Sequence, residues 1–305
     1  MPHRDQYPKE DHRSTEQRHP DSKDLDRLSA EQIVRLMNHE DRKVALAVRH
    51  ELPAIAKAVR AIVSAIERGG RLFYVGAGSS GRMAVLDAAE IAPTFGTPPW
   101  LVQALIAGGR RAVTSAVEGA EDAAANGERD LRARRFGSKD IAVGIAASGT
   151  TPYVLGALKY ARKCQATIIA LTSNRQVPIT RLADIVIAPQ VGPEVVTGST
   201  RLKAGTSQKL VLNMLSTAAM VRLGHVYENL MIDAVLTNKK LEQRALRILA
   251  EASGKSVSAG RRALRQARHD IRLAVVILKR GVSAAEAGQL LAGAGGNLRR
   301  ALGES

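Results

Sequence analysis

The sequence has a single cysteine, Cys164, in 305 residues. One thiol cannot close an intrachain disulfide, and it rules out a zinc site built on cysteine pairs. Aromatic residues are as scarce: three Phe, one Trp and five Tyr. A core must then be assembled from Ala, Val, Leu and Ile, a composition that suits helices packed on buried parallel strands. No apolar run approaches the roughly 18 residues of a membrane-spanning helix, so no membrane partner is expected. The stretch MPHRDQYPKEDHRSTEQRHPDSKD lacks the apolar centre of a signal peptide, and the cytoplasm is the expected location. The seven His, at 3, 12, 19, 39, 50, 225 and 269, show no metal-ligand spacing, and no metal is expected.

What is present begins with charge. Lys and Arg exceed Asp and Glu by 16, a balance that steers anions toward the protein. The arginines are scattered through 42–71, 110–135 and 261–300, without interleaved aromatics or a basic tail. A solvated Arg-rich surface is expected, with room for an anionic small substrate and no nucleic-acid partner. Residues 1–27 mix charge, Pro and Ser with almost nothing apolar and read as a disordered tail, in which His3, His12 and His19 have no specific task.

Ser29 followed by Gln32 is a capping box. The apolar positions Val44, Ala47, Val48, Leu52, Ile55, Val59, Ile62 and Ile66 then recur at helical spacing to the stop at Gly69-Gly70. Five β-rich runs follow, at 71–75, 100–107, 140–148, 166–173 and 183–189, with helical stretches at 81–91, 111–125, 152–163 and 175–182 between them. Alternation of this kind predicts an α/β fold: a three-layer αβα sandwich on a parallel sheet. The pattern after 198 is helical over 199–224 and 229–253, and the last fifty or so residues split into short helices at 256–267, 270–280 and 283–293, with NLRRAL as a last turn. The expected organisation is a tail (1–27), an α/β domain with N-terminal helices (28–253) and a small helical domain (254–305).

The segment YVGAGSSGRMAVLDAAE, 74–90, contains a full G-x-G-x-x-G at Gly76, Gly78 and Gly81. A dinucleotide site also needs a carboxylate about 20 residues on, to grip a ribose hydroxyl. The second strand instead runs into LIAGGRRA, which has none. The loop carries hydroxyls, Ser79 and Ser80, before a helix read as starting near Gly81. A second hydroxyl-rich turn, AASGTTP, offers Ser148, Gly149, Thr150 and Thr151 before Pro152, a residue suited to a helix's first turn. Either turn alone reads as an ordinary helix N-cap. Together, at the ends of two parallel strands, Gly78, Ser79, Ser80, Ser148, Gly149, Thr150 and Thr151 make a pocket for one phosphate monoester.

These two loops resemble those of SIS (sugar isomerase) phosphosugar-binding domains. The longer motifs GAGSSGRMAVLDAAE, AVEGAED, GIAASGTTPYV, EVVTGSTRLKAGTSQKLVLNMLST and NLMIDAVLTNKKL resemble the bacterial N-acetylmuramic acid 6-phosphate etherases, over about residues 25–302. The resemblance implies a SIS sandwich with a small C-terminal helical domain, a homodimer with a shared active site, no metal or organic cofactor, and a sugar-phosphate substrate whose D-lactyl ether is cleaved by elimination and then hydration. It implies that Glu90 in LDAAE is the proton donor and Glu121 in VEGAED the second catalytic glutamate, taken as the base. A neutral Glu90 needs partial burial, which its apolar neighbours permit. Substrate contacts are implied near TGSTRLKAGTSQK, where Ser199, Thr200, Arg201 and Lys203 suit a phosphate or the lactyl carboxylate. His225 reads as a packing residue or a catalytic one, and Asp233 and Asn238 as buried polar residues on a helix. In one departure the chain has Thr150 where the family commonly has Arg. One geometric tension remains: on a regular helix Glu90 lies about 13 Å along the axis from Gly81, so either the helix ends ahead of Pro93 or two subunits build the site. A non-catalytic phosphosugar-sensing regulator and an aldose–ketose phosphosugar isomerase are the alternative functions.

Overall fold

A computed structural model describes residues 12–236 and 238–304. The chain divides into two compact units, one holding the sequence up to Ala88 with Trp100–Leu215, the other Ala89–Pro99 with Ser216–Ser305. The division therefore falls well before the expected boundary at residue 254.

In the first unit α1 (Ala30–Arg49) opens on the expected capping box: Gln32 N–H donates to Ser29 Oγ, and Ser29 N–H to Gln32 Oε1. The apolar periodicity suggests one long helix, but α1 ends at Arg49 and α2 (Leu52–Glu67) starts anew with Pro53 in its first turn. Proline has no N–H to donate, so it fits the first turn of a helix and not its interior. Strand and helix then alternate: β1 (Leu72–Gly76), α3 (Gly78–Phe95), β2 (Val102–Ile106), α4 (Arg111–Thr114), α5 (Ala124–Ala133), β3 (Ile141–Ile145), α6 (Pro152–Lys163), β4 (Thr167–Leu171), α7 (Pro178–Arg181), β5 (Ile185–Ile187) and α8 (Lys203–Arg222). The helix expected over 111–125 is broken, because Gly119 takes a left-handed conformation ahead of a 3-10 turn at Ala120–Asp122.

The five strands form one parallel sheet in the order β2-β1-β3-β4-β5. Leu72 of β1 pairs with Val102 on one side and Ile141 on the other. Phe73 and Val75 of β1, Ala142 of β3 and Ile168 and Ala170 of β4 join Leu131 of α5 and Tyr153, Val154 and Leu158 of α6 in one buried cluster. Helix α2 touches β1, β3 and β5 and shares none of that cluster, which accounts for the opposite face. Strand order reverses between β1 and β3. At such a switch point two neighbouring strands send their chains to opposite faces and leave a crevice beyond their carboxyl ends.

Part of the segment expected to be disordered is ordered. Short 3-10 helices span Ser14–Glu16, Pro20–Ser22 and Leu25–Arg27, and Thr15 and His19 are buried. Polar composition misleads here because the segment is held by hydrogen bonds to the α/β unit, not by an apolar face of its own. His3 and the rest of residues 1–11 lie outside the described residues.

The second unit holds an antiparallel hairpin, β6 (Val226–Tyr227) with β7 (Leu230–Met231), then α9 (Lys239–Ser253), α10 (Val257–Gln266), α11 (Ile271–Arg280), α12 (Ala284–Gly293) and α13 (Leu298–Leu302). The helix expected from 229 thus starts ten residues later, at Lys239, where Asn238 accepts the Leu241 N–H. Asn238 is its cap and Asp233 lies outside any helix. Ser256, Asp270, Ser283 and Asn297 cap the remaining helices. Leu249, Leu264, Val275, Val276 and Leu298 form a core of their own.

Candidate active site

The glycine-rich turn is built by close approach. A Cβ on Gly76 would stand 2.7 Å from Gly81 N, and one on Gly81 would stand 2.6 Å from Ile106 Cγ1. Helix α3 can therefore start against β1 and β2 only if both positions are glycine. The helix begins at Gly78, not near Gly81, so Ser79 and Ser80 sit in its first turn. The first N–H groups of a helix have no carbonyl one turn back, and the axial dipole is positive there. This end of α3 suits an anion.

The second turn, after β3, has an internal hydroxyl network. Ser148 Oγ and Thr150 Oγ1 are 3.0 Å apart, and Thr150 N–H donates to Ser148 Oγ at 3.3 Å. Gly149 has a φ of +74°, and a Cβ there would lie 2.3 Å from Val177 Cγ2. Thr151 precedes α6 without a side-chain cap bond, so capping does not account for its hydroxyl. Arg13 Nη1 donates to Thr150 Oγ1 at 2.9 Å, so a guanidinium reaches this turn from elsewhere in the chain. The two hydroxyl turns follow β1 and β3, the strands of the switch point.

A cavity of about 180 Å³ opens beside the first turn, with Gly78, Arg82, Val117, Glu118 and Glu121 in its lining. Glu121 thus faces the same space as the glycine turn, although 43 residues separate it from Gly78. Arg82 sets this up by donating to the Val113 and Ser115 carbonyls, both at 3.0 Å, which holds the chain leading to Glu121 against α3. Sequence reasoning missed Arg82 and Glu118. The signal was the place of Arg82 next to Gly81 and of Glu118 within VEGAED itself.

Glu90 is exposed, as is Ala89 before it, so its own chain does not supply the partial burial expected of it. Nor does α3 stop ahead of Pro93: it continues to Phe95, and the Pro93 carbonyl accepts the Val235 N–H at 3.3 Å. That removes the first way out of the geometric tension.

In the segment before α8, Ser199 and Thr200 occupy a half-buried turn and Arg201 is exposed. Lys203 is only 2% exposed. Its Nζ lies 2.7 Å from Glu40 Oε2, with His19 Nε2 at 3.1 Å from the same oxygen and Lys43 on the other. Burial pushes the Glu40 carboxyl up, but hydrogen bonds from Lys203, Lys43 and His19 outweigh it and hold it at about 2. Backbone N–H groups of Lys203 and Ala204 donate to Glu194, whose carboxyl burial pushes up. The expected substrate contact at Lys203 is therefore corrected to a structural ion pair. His19 belongs to the same pair, against the expectation that it has no specific task.

Gln208, 1% exposed, leaves both amide atoms without a hydrogen-bond partner among the described residues. It lies one helical turn after Ala204, which clusters with Ala147 at the end of β3. Equal spacing on a helix puts Gln208 on the same face as Ala204. In the second unit His225 Nδ1 is 2.7 Å from Asp233 Oδ2, Arg272 also binds Asp233, and the Phe95 ring lies edge-on to His225. These contacts fix the orientation of the His225 ring. Among the described residues no cluster of His, Cys, Asp or Glu could hold a metal ion, and no helix is long and apolar enough to cross a membrane.

The SIS domain model matches residues 118–218, and the model of the glucokinase regulatory protein N-terminal SIS domain matches 54–162. A phosphoheptose isomerase structure from Francisella tularensis superposes with a TM-score of 0.53 at 22% identity, over 64% of this chain and all of that one, which supports the fold. A Vibrio cholerae protein, N-acetylmuramic acid 6-phosphate etherase 2, is 50% identical over 96% of this chain and 95% of its own length. A Yersinia pestis N-acetylmuramic acid 6-phosphate etherase is 52% identical over 94% and 98%. Identity at that level, along nearly the whole of both chains, means that this chain belongs to the N-acetylmuramic acid 6-phosphate etherase family.

Proposed function

We propose that this protein cleaves the D-lactyl ether of N-acetylmuramic acid 6-phosphate, releasing D-lactate and N-acetylglucosamine 6-phosphate. The observation that carries the reading is a cavity shared by the glycine turn and Glu121 in a chain half-identical to named etherases. The phosphoryl group is held beyond β1 and β3 by the hydroxyls and N–H groups of Ser79, Ser80, Ser148, Thr150 and Thr151, with Ser199 and Thr200 as further contacts.

An ether oxygen leaves poorly unless it is protonated, and the C2 hydrogen is acidic only when the sugar ring is open to an aldehyde. The Glu121 carboxylate takes the C2 proton, the electron pair forms the C2–C3 double bond, and the C3–O bond breaks. Glu90, protonated, gives its proton to the departing lactate oxygen. Water then adds at C3 of the unsaturated aldehyde, with a proton returned to C2. Two carboxyls of opposite protonation are what such a sequence requires.

A homodimer with a shared site is part of the proposal. Three observations support it. Glu90 is exposed in its own chain. Leu86, four positions earlier in α3, is 47% exposed. The cavity, at about 180 Å³, is smaller than the roughly 300 Å³ at which ligand pockets usually begin, so further walls are needed. Lactate release from N-acetylmuramic acid 6-phosphate tests the function. A wild-type chain that releases none would refute it, and a phosphosugar sensor or an aldose–ketose isomerase would give that result.

A further inference from the structure

The α/β unit brings hydroxyls and helix ends to the switch point, and two of the cations near them are held by other groups. Lys203 is buried on Glu40, and Arg82 is bound to two carbonyls. A guanidinium that reaches the second hydroxyl turn belongs to Arg13, 137 residues away in sequence from Thr150. Its position is built. Ser14 N–H donates to Asn174 Oδ1 at 2.9 Å, and Asn174 Nδ2 donates to Thr15 Oγ1 at 3.3 Å and to the Ala147 carbonyl at 3.0 Å. Thr15 and Asn174 are both buried. Asn174 follows β4 and Ala147 follows β3, so the backbone next to Arg13 is fastened to the carboxyl ends of two adjacent strands. A few residues on, His19 fastens the same strap to Glu40 of α1.

We infer that Arg13 is a further substrate-binding residue, and that the N-terminal strap exists to deliver its guanidinium to the phosphoryl group at the Ser148–Thr151 turn. This rests on the phosphosugar reading above. A guanidinium presents N–H donors in a fork that matches a phosphate's oxygens. Thr150 Oγ1 aims that fork, and Ser148 Oγ beside it offers the same anion a hydroxyl. The ligand class is a phosphate monoester.

The test compares wild type, Arg13→Gln, Arg13→Lys and the double variant Arg13→Gln with Thr150→Arg, all as full chains. Inorganic phosphate is titrated against chloride at matched ionic strength, with the thermal midpoint as readout, and lactate release gives KM and kcat. Phosphate raises the wild-type midpoint. In Arg13→Gln that rise is lost and KM increases by about ten- to a hundredfold, the worth of a charge-assisted bond, with kcat changed far less. Arg13→Lys retains part of both, and the double variant regains phosphate binding. The inference is overturned if wild type shows no rise, if Arg13→Gln keeps it, or if the variant merely melts lower in chloride with its phosphate response intact. If phosphate binding depends on Arg13 but no variant, wild type included, releases lactate, the proposed reaction fails and this assignment stands.

Discussion

Two carboxylate sites in the α/β unit differ in almost every respect. Glu40 is sealed in, with Lys203, Lys43 and His19 around it and its carboxyl held at about 2. Glu121 stands exposed at the rim of a cavity beside a glycine turn. The Glu40 carboxylate is ringed by cationic and hydrogen-bonding partners, and that satisfaction leaves nothing to offer a ligand. A carboxylate that must receive a proton in each turnover needs access and a pKa that can be reached from neutral solution. Burial and pairing mark Glu40 as structural, and exposure in a cavity marks Glu121 as a candidate for chemistry.

Substitution can break the contrast from either side. The largest effect belongs to the exposed site: Glu121→Gln and Glu90→Gln each lower kcat for lactate release by roughly a hundred- to ten-thousandfold, with thermal midpoints near that of wild type. Mixing Glu90→Ala with Glu121→Ala chains restores part of the activity if one site draws on two subunits. No recovery from subunits shown to exchange would favour an intrachain pair. On the buried side, Lys203→Met strips a partner from Glu40 and destabilises by about 3–5 kcal/mol, which thermal or urea unfolding reads directly.

A pH series sharpens the same comparison. The Glu40 carboxyl is depressed in the folded chain, so the stability it contributes is present in full above its ordinary value of 4.5 and is lost as pH falls toward 2. The amount is on the order of 3 kcal/mol, and Glu40→Gln should flatten that acid limb. The smallest effect is expected at Gln208. Leucine there removes two unpartnered buried amide atoms and leaves stability within about 1 kcal/mol of wild type. A rise in KM in that variant would show that the amide meets the substrate.

The sheet and the terminal helices were legible in the sequence. Buried parallel strands appear as short apolar runs, and α10 to α12 are announced by Ser256, Asp270 and Ser283 at their starts. Both hydroxyl turns were legible too, because Gly76, Gly81 and Gly149 stand where a side chain would collide with a neighbour. The reading failed where order came from partners distant in sequence. The N-terminal strap has no periodicity of its own, and the hairpin at 226–231 has strands of two residues each, too short for any alternation to show. Lys203 looked like a phosphate ligand because nothing local in TGSTRLKAG points to Glu40, 163 positions away.

The sequence by itself determined the α/β alternation, the anion-binding character of two turns and, through long motifs, the family. Those properties rest on local backbone sterics and on periodic burial, which neighbouring residues specify. Only the tertiary structure decided which charged groups meet which partners. Pairing depends on proximity in space, and proximity buried Lys203, brought Glu121 to the glycine turn and set Arg13 against Thr150.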